Sequence, residues 1–203
     1  MMALLLMAGL AMEATDDRHL HPDVAPIVAI VSGDHISAIT VEIAQLRELY
    51  FAAVKSSGAL LVAERAIERR LAALPASGPA TETDAVVLTY AGALRTLRAK
   101  HGHWPPARLR DLQEGLRTMD SMVESYPDVA EIRYLRLMSC YYLPSLLGRT
   151  GSVTEDFRAL ARLLPAARES FSTDLFEAAA AFVLEHGELT AVDRVPLERS
   201  LAR

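Results

Sequence analysis

Leu109–Pro127 reads LRDLQEGLRTMDSMVESYP and sets Leu109, Leu112, Leu116, Met119, Val123 and Tyr126 three or four residues apart. That period is the mark of an α-helix with one buried face. Pro105 and Pro106 stand just ahead of the stripe, where a missing N–H costs nothing. Pro127 closes it. A helix over 105–126 with one apolar stripe must bury that stripe against other helices, so this stretch decides the fold class.

The same period recurs on both sides. Upstream, Ile36, Ile39, Ile43, Leu46, Tyr50 and Ala53 predict a helix over 36–55, ended by Ser56-Ser57-Gly58. Leu60, Ile67, Leu71 and Leu74 predict a second over 59–74, followed by turn chemistry at Pro75–Pro79. Val87, Tyr90, Leu94, Leu97 and His101 mark a third, with Asp84 as its expected N-cap. Downstream, Asp128-Val-Ala-Glu131 resembles a capping box for a helix over 132–143 that is apolar on nearly every side, the pattern of a central helix. Ser152-Val-Thr-Glu155 reads as a second capping box, for a helix with Val153, Phe157, Leu160 and Leu164 facing inward and Pro165 at its end. A last helix spans 173–186 with Leu175, Ala179 and Phe182 inward and Gly187 as its stop. No segment alternates as a strand does.

The expected fold is therefore all-α: about seven helices in antiparallel hairpins, forming one right-handed superhelical or bundle-like domain over 36–187. Residues 188–203 are expected to form a tail or short helix, and 15–35 an irregular lead-in broken by Pro22 and Pro26. The run MMALLLMAGLAM at Met1–Met12 is too short for a bilayer span. It has the length of a signal-peptide core, with Gly9, Ala11 and Ala14 as cleavage points for a segment 1–14, although the basic residues usual ahead of such a core are missing. Export to the periplasm is the expectation, with no stable membrane insertion once the signal is removed. A first structural helix in a cytoplasmic protein is the alternative.

The chain has 203 residues, 51% of them hydrophobic and 6% aromatic, with a net charge of −5. Such composition supplies a core and argues against nucleic acid, which needs a basic footprint. The single cysteine, Cys140, cannot form an internal disulfide and reads as a small buried hydrophobe.

Tetratricopeptide units pair two helices, place small residues where they touch and end in proline. Pro127 and Pro165 fall at such ends, 38 residues apart. The segments Leu46-Arg-Glu-Leu-Tyr50, Tyr90-Ala-Gly-Ala93 and Ala99-Lys100-His101 with Pro105 downstream belong to a wider pattern. It continues through Gly115, Pro127, Glu131-Ile-Arg-Tyr-Leu-Arg136, Leu143-Pro144, Leu147-Gly148 and Asp156. Together they resemble an uncharacterised bacterial family of small tetratricopeptide-like proteins, often carrying N-terminal export signals. The likeness runs from Leu46 to Leu164, and EIRYLR…LPSLLGR is its most specific stretch. It implies the fold and export; that family has no assigned activity.

The chemistry-bearing residues are few. His101 and His103 lack a third ligand at metal spacing, so the pair reads as a helix C-terminal loop. Cys140 sits mid-helix among apolar residues, where a thiolate is poorly stabilised. Gly148-Arg-Thr-Gly151 lacks the lysine of a phosphate-binding loop. Arg133 and Arg136 stand out because they lie on one face of an otherwise buried helix. Two roles are open for them: internal pairing with Asp156, Asp120 or Glu124, or lining a groove that grips a peptide carboxylate. Glu131, Tyr90, Arg95, Lys100, Tyr134 and Tyr141 are the other candidate groove residues. Hence the expected function is non-enzymatic protein or peptide binding, with no cofactor and no metal. A carrier of a small apolar ligand or lipid is the alternative, and a hydrolase or metalloenzyme ranks third.

Overall fold

The computed structural model describes residues 38–202, and side chains from Ile43 onward. The expected signal segment 1–14 and lead-in 15–35 lie outside the described residues. Eight α-helices follow in chain order: α1 (Ala38–Lys55), α2 (Ser57–Leu71), α3 (Glu82–His101), α4 (Pro105–Ser125), α5 (Ala130–Tyr141), α6 (Thr150–Ala167), α7 (Thr173–His186) and α8 (Ala191–Leu201). Two single 3-10 turns, Ser145–Leu147 and Arg168–Ser170, sit in the connections. The all-helical fold is as the periodicity requires. The C-terminal residues expected as a tail or short helix form α8, which packs on α6 and α7 and buries Leu197 completely.

Short connections lay consecutive helices against one another as hairpins. The most extensive contact is α3 on α4, then α5 on α6 and α1 on α2. Helices also meet at the next-but-one position, α1 with α3, α3 with α5 and α6 with α8. In the α3/α4 hairpin the backbones approach at Gly92 and Gly115. A Cβ on Gly115 would stand 2.5 Å from the Gly92 carbonyl oxygen and 2.9 Å from Thr96 Cγ2. Small residues at that crossing allow the contact, and with it the burial of Val87, Tyr90, Leu94, Leu116 and Met119.

Two apolar clusters form the core. The first draws on α1–α5, and the second on α5–α8 with Phe171, Phe176 and Leu197 at its centre. Helix α5 serves both: Ile132, Leu135 and Cys140 face the first, Ala130, Tyr134 and Leu137 the second. Its nearly continuous apolar surface is thus explained by a central position.

Several local expectations are corrected. The N-cap of α3 is Thr81, and Asp84 is its reciprocal partner three residues on. Neither downstream capping box forms. Helix α5 starts after Val129 and α6 after Arg149, both without a side-chain cap, so Asp128 falls before the cap position and Ser152 inside the helix, while Glu131 and Glu155 bond arginines on other helices. Pro165 lies inside α6, which runs on to Ala167. On α7 Ala179 is fully buried as expected, together with Phe176, Ala180 and Val183, whereas Leu175 and Phe182 are only partly buried.

Candidate functional site

Arg133 and Arg136, one turn apart on α5, point toward α6 and meet Asp156, whose side chain is 0% exposed. Arg136 donates through Nε to Asp156 Oδ2 at 2.8 Å and through Nη2 to Oδ1 at 2.7 Å, the parallel fork that suits a carboxylate. Its Nη1 reaches Asp120 on α4 at 3.2 Å. Arg133 donates to Asp156 Oδ1 at 3.1 Å, to Glu155 at 2.6 Å and to the Pro127 carbonyl at 2.9 Å. Arg149, just before α6, closes the set with a second fork onto Asp120 at 2.6 and 2.9 Å.

The electrostatics follow from this packing. Burial raises the Asp156 carboxyl above its ordinary value, and the two guanidiniums only partly offset it. Burial acts on Asp120 in the same direction, yet Arg149 and Arg136 outweigh it and hold that group low. The bond from Arg133 lowers Glu155. Three arginines and three carboxylates therefore lock α4, α5 and α6 together, and a buried charge in such a set is stable only while its partners stay.

Glu131 anchors a second polar cluster on the opposite side of α5. Arg47 of α1 grips it through Nε at 2.8 Å and Nη2 at 2.7 Å, and the Tyr90 hydroxyl donates to Oε1 at 2.6 Å. Arg47 also donates to the Ser170 carbonyl and lies over the Phe171 ring at 5.0 Å. Tyr50 packs edge-on against Tyr90. Burial, then the neighbouring Glu131 charge, pushes the Tyr90 phenol well above its ordinary value. Burial pushes Tyr50 up to about 12, against a smaller opposing effect of Ser139. The Tyr90 hydroxyl thus keeps its proton as donor to Glu131.

The other candidates are dispersed. Arg95 pairs with Glu114 at 2.7 Å on the α3/α4 surface, and Arg98 forks onto Asp111 at 3.0 and 3.1 Å beside it. Lys100 is exposed and donates to the Val54 carbonyl at 3.2 Å. Tyr134 is buried in the second cluster. Tyr141 joins Tyr142, Phe157, Phe182 and His186 in an aromatic group. His101 meets the Ala53 carbonyl at 2.9 Å, on the neighbouring helix rather than its own last turn. Cys140 is buried, and burial raises its thiol further. Among the described residues no three His, Cys, Asp or Glu side chains are grouped to hold a metal ion.

The eight candidates thus do not converge on one groove. Arg133, Arg136, Glu131 and Tyr90 are consumed in the two polar clusters, which is the internal-pairing alternative, with Glu155 rather than Glu124 as the third carboxylate. Arg47 completes the Glu131 cluster and Arg149 the Asp156 cluster, and neither was among the candidate residues. Arg47 had a sequence signal: it interrupts the Ile43–Leu46–Tyr50 stripe at a position i+4 from Ile43. One open groove borders the Asp156 cluster at Glu155 and is lined further by Thr150, Thr154, Arg158 and Arg162; another is lined by Gln45, Leu46, Leu49, Ala66 and Arg69.

No protein family matches this chain, nor does any curated protein or solved structure.

Proposed function

We propose that the chain is a non-enzymatic, tetratricopeptide-like helical-repeat protein that binds a protein or peptide partner at the bacterial cell envelope. The observation that carries this is the neighbour pattern: each helix packs on the next, with further contacts at the next-but-one position among α1, α3 and α5. That is how stacked hairpins build a repeat array, and arrays of this kind present extended surfaces to partners. The close Gly92–Gly115 crossing supports the same view, since repeat hairpins place small residues where their helices touch. The polar clusters around Asp156 and Glu131 then serve as clasps between helices, leaving partner contact to exposed side chains. The envelope assignment rests on the composition of Met1–Met12 alone. A carrier of apolar ligands needs an enclosed chamber, and the two grooves are open and rimmed by arginines.

Site-specific photo-crosslinking in the native host tests the proposal. Cross-linkers at exposed sites such as Arg69, Arg158 and Val192 are expected to capture one protein from adjacent sites and not from distant ones. Absence of a cross-linked species at every site would refute partner binding. N-terminal sequencing of the host protein tests export separately.

A further inference from the structure

The tips of the first two hairpins lie side by side: His101 Nε2 is 2.9 Å from the Ala53 carbonyl and Lys100 Nζ donates to that of Val54. Residues 49–63 and 97–110, which make up these tips and the turns beside them, hold Lys55, Arg98, Lys100, Arg108 and Arg110 and no aspartate or glutamate. The chain has only two lysines, and both are here. Arg98 is taken up by Asp111 and Glu64, and Arg108 donates to the Ala99 carbonyl. Among the described residues no carboxylate pairs with Lys55, Lys100 or Arg110, and all three are exposed. At the far ends of the same hairpins, residues 72–84 and 118–131 hold Glu82, Asp84, Asp120, Glu124, Asp128 and Glu131 and no lysine or arginine. Asp84, Asp120 and Glu131 there are paired with Arg70, Arg149 and Arg47 from outside these segments, so it is the tips that gather exposed cations without a carboxylate partner among the described residues.

The cationic end is also apolar. Trp104, the sole tryptophan, is 70% exposed between His103 and Pro105. Leu61 and Val62 are more than half exposed on α2, about 6–8 Å from the tip at the helical rise per residue. The grooves lined by Gln45–Arg69 and Thr150–Arg162 include none of Lys55, Lys100, Trp104 and Arg110. An end that carries an exposed indole and two exposed lysines matches the headgroup layer of a bilayer, where tryptophan is enriched and basic residues meet anionic lipid.

We propose that the joined tips of the first two hairpins, with Trp104, Leu61 and Val62 inserted and Lys55, Lys100 and Arg110 around them, dock this protein end-on onto an anionic lipid surface. Binding is peripheral; among the described residues no helix is long and apolar enough to cross a membrane. This docking is independent of the protein partner proposed above, which cross-linking reads separately.

Trp104 reports on its own site. Titrating the full chain with vesicles of phosphatidylcholine mixed with phosphatidylglycerol should shift tryptophan emission to the blue, and pure phosphatidylcholine should not. Each lysine removed should weaken partitioning about fivefold, so Lys55→Gln with Lys100→Gln should cost about twenty-five-fold. Far-UV circular dichroism checks that the variant is folded. The proposal fails if emission does not respond to anionic vesicles, or if the folded double variant binds as the wild type does. The second result would assign vesicle binding to another part of the chain. A shift with polyglutamate but none with vesicles would also overturn it and assign the tips to an acidic protein.

Discussion

At the scale of single residues, the charge on Asp156 is the most consequential in the described structure. With its side chain wholly buried, it depends on Arg136 and Arg133 for its remaining hydrogen bonds. Arg136→Met is expected to lower unfolding free energy by about 3–5 kcal/mol, measured by urea denaturation, because it strands a buried carboxylate. The acid limb of stability has a defined sign. Asp120 and Glu155 sit below their ordinary values of 3.8 and 4.5, so their contribution is present above that range and is lost as pH falls through their folded values. Asp156, raised, works the other way. Thermal melts from neutral pH down to about 3 should show stability falling below about 4.5, and Asp120→Asn should flatten the fall. Arg133 and Arg136 were conspicuous in the sequence because charge on a buried helix is rare. Two of their three partners followed from neighbouring helices, whereas Glu155 was hidden by its own apparent role in a local cap.

At the scale of elements, glycine shows how context reverses a propensity. Replacing a helical glycine by alanine ordinarily stabilises by about 1 kcal/mol. Gly58→Ala, where the new methyl would meet only Ser56 Oγ at 3.6 Å, should follow that rule. Gly115→Ala should oppose it and destabilise by about 1–3 kcal/mol, since its methyl would strike the Gly92 carbonyl and Thr96. Comparing the two melting temperatures tests the contrast. Helix periods were legible because burial repeats along the chain. Helix ends were legible where local chemistry ruled them, as at Pro105–Pro106 and Gly187. Where a distant arginine held the expected capping glutamate, the local pattern misled. Pro165 misled differently: tertiary packing of Leu160, Ala161 and Leu164 carries α6 through a residue that removes a backbone donor.

At the scale of the molecule, the two clusters are not separable domains, because α5 supplies side chains to both. Its central place was legible from an apolar surface on nearly every side. The role of α8 was not: of its eleven residues only Leu197 and Ser200 are buried, too few to make a stripe. Yet Leu197 is fully enclosed, and Arg168 donates to the Ser200 carbonyl while lying over Phe176. Ending the chain after Gly187 should therefore open the second cluster, read as dye binding to exposed apolar surface and as a broadened melt. Leu197→Ala alone should cost about 2–5 kcal/mol by the same melt. The double duty of α5 also bears on synthesis. The first cluster takes Leu143 and Leu147 as well as α5, so the nascent chain cannot close it until those residues have left the ribosome. Leu197 follows 50 residues later. At about 5–20 residues per second, the second cluster stays incomplete for roughly 3–10 s after Leu147 is made, a window in which a chaperone would find its apolar side chains without the cover of Leu197.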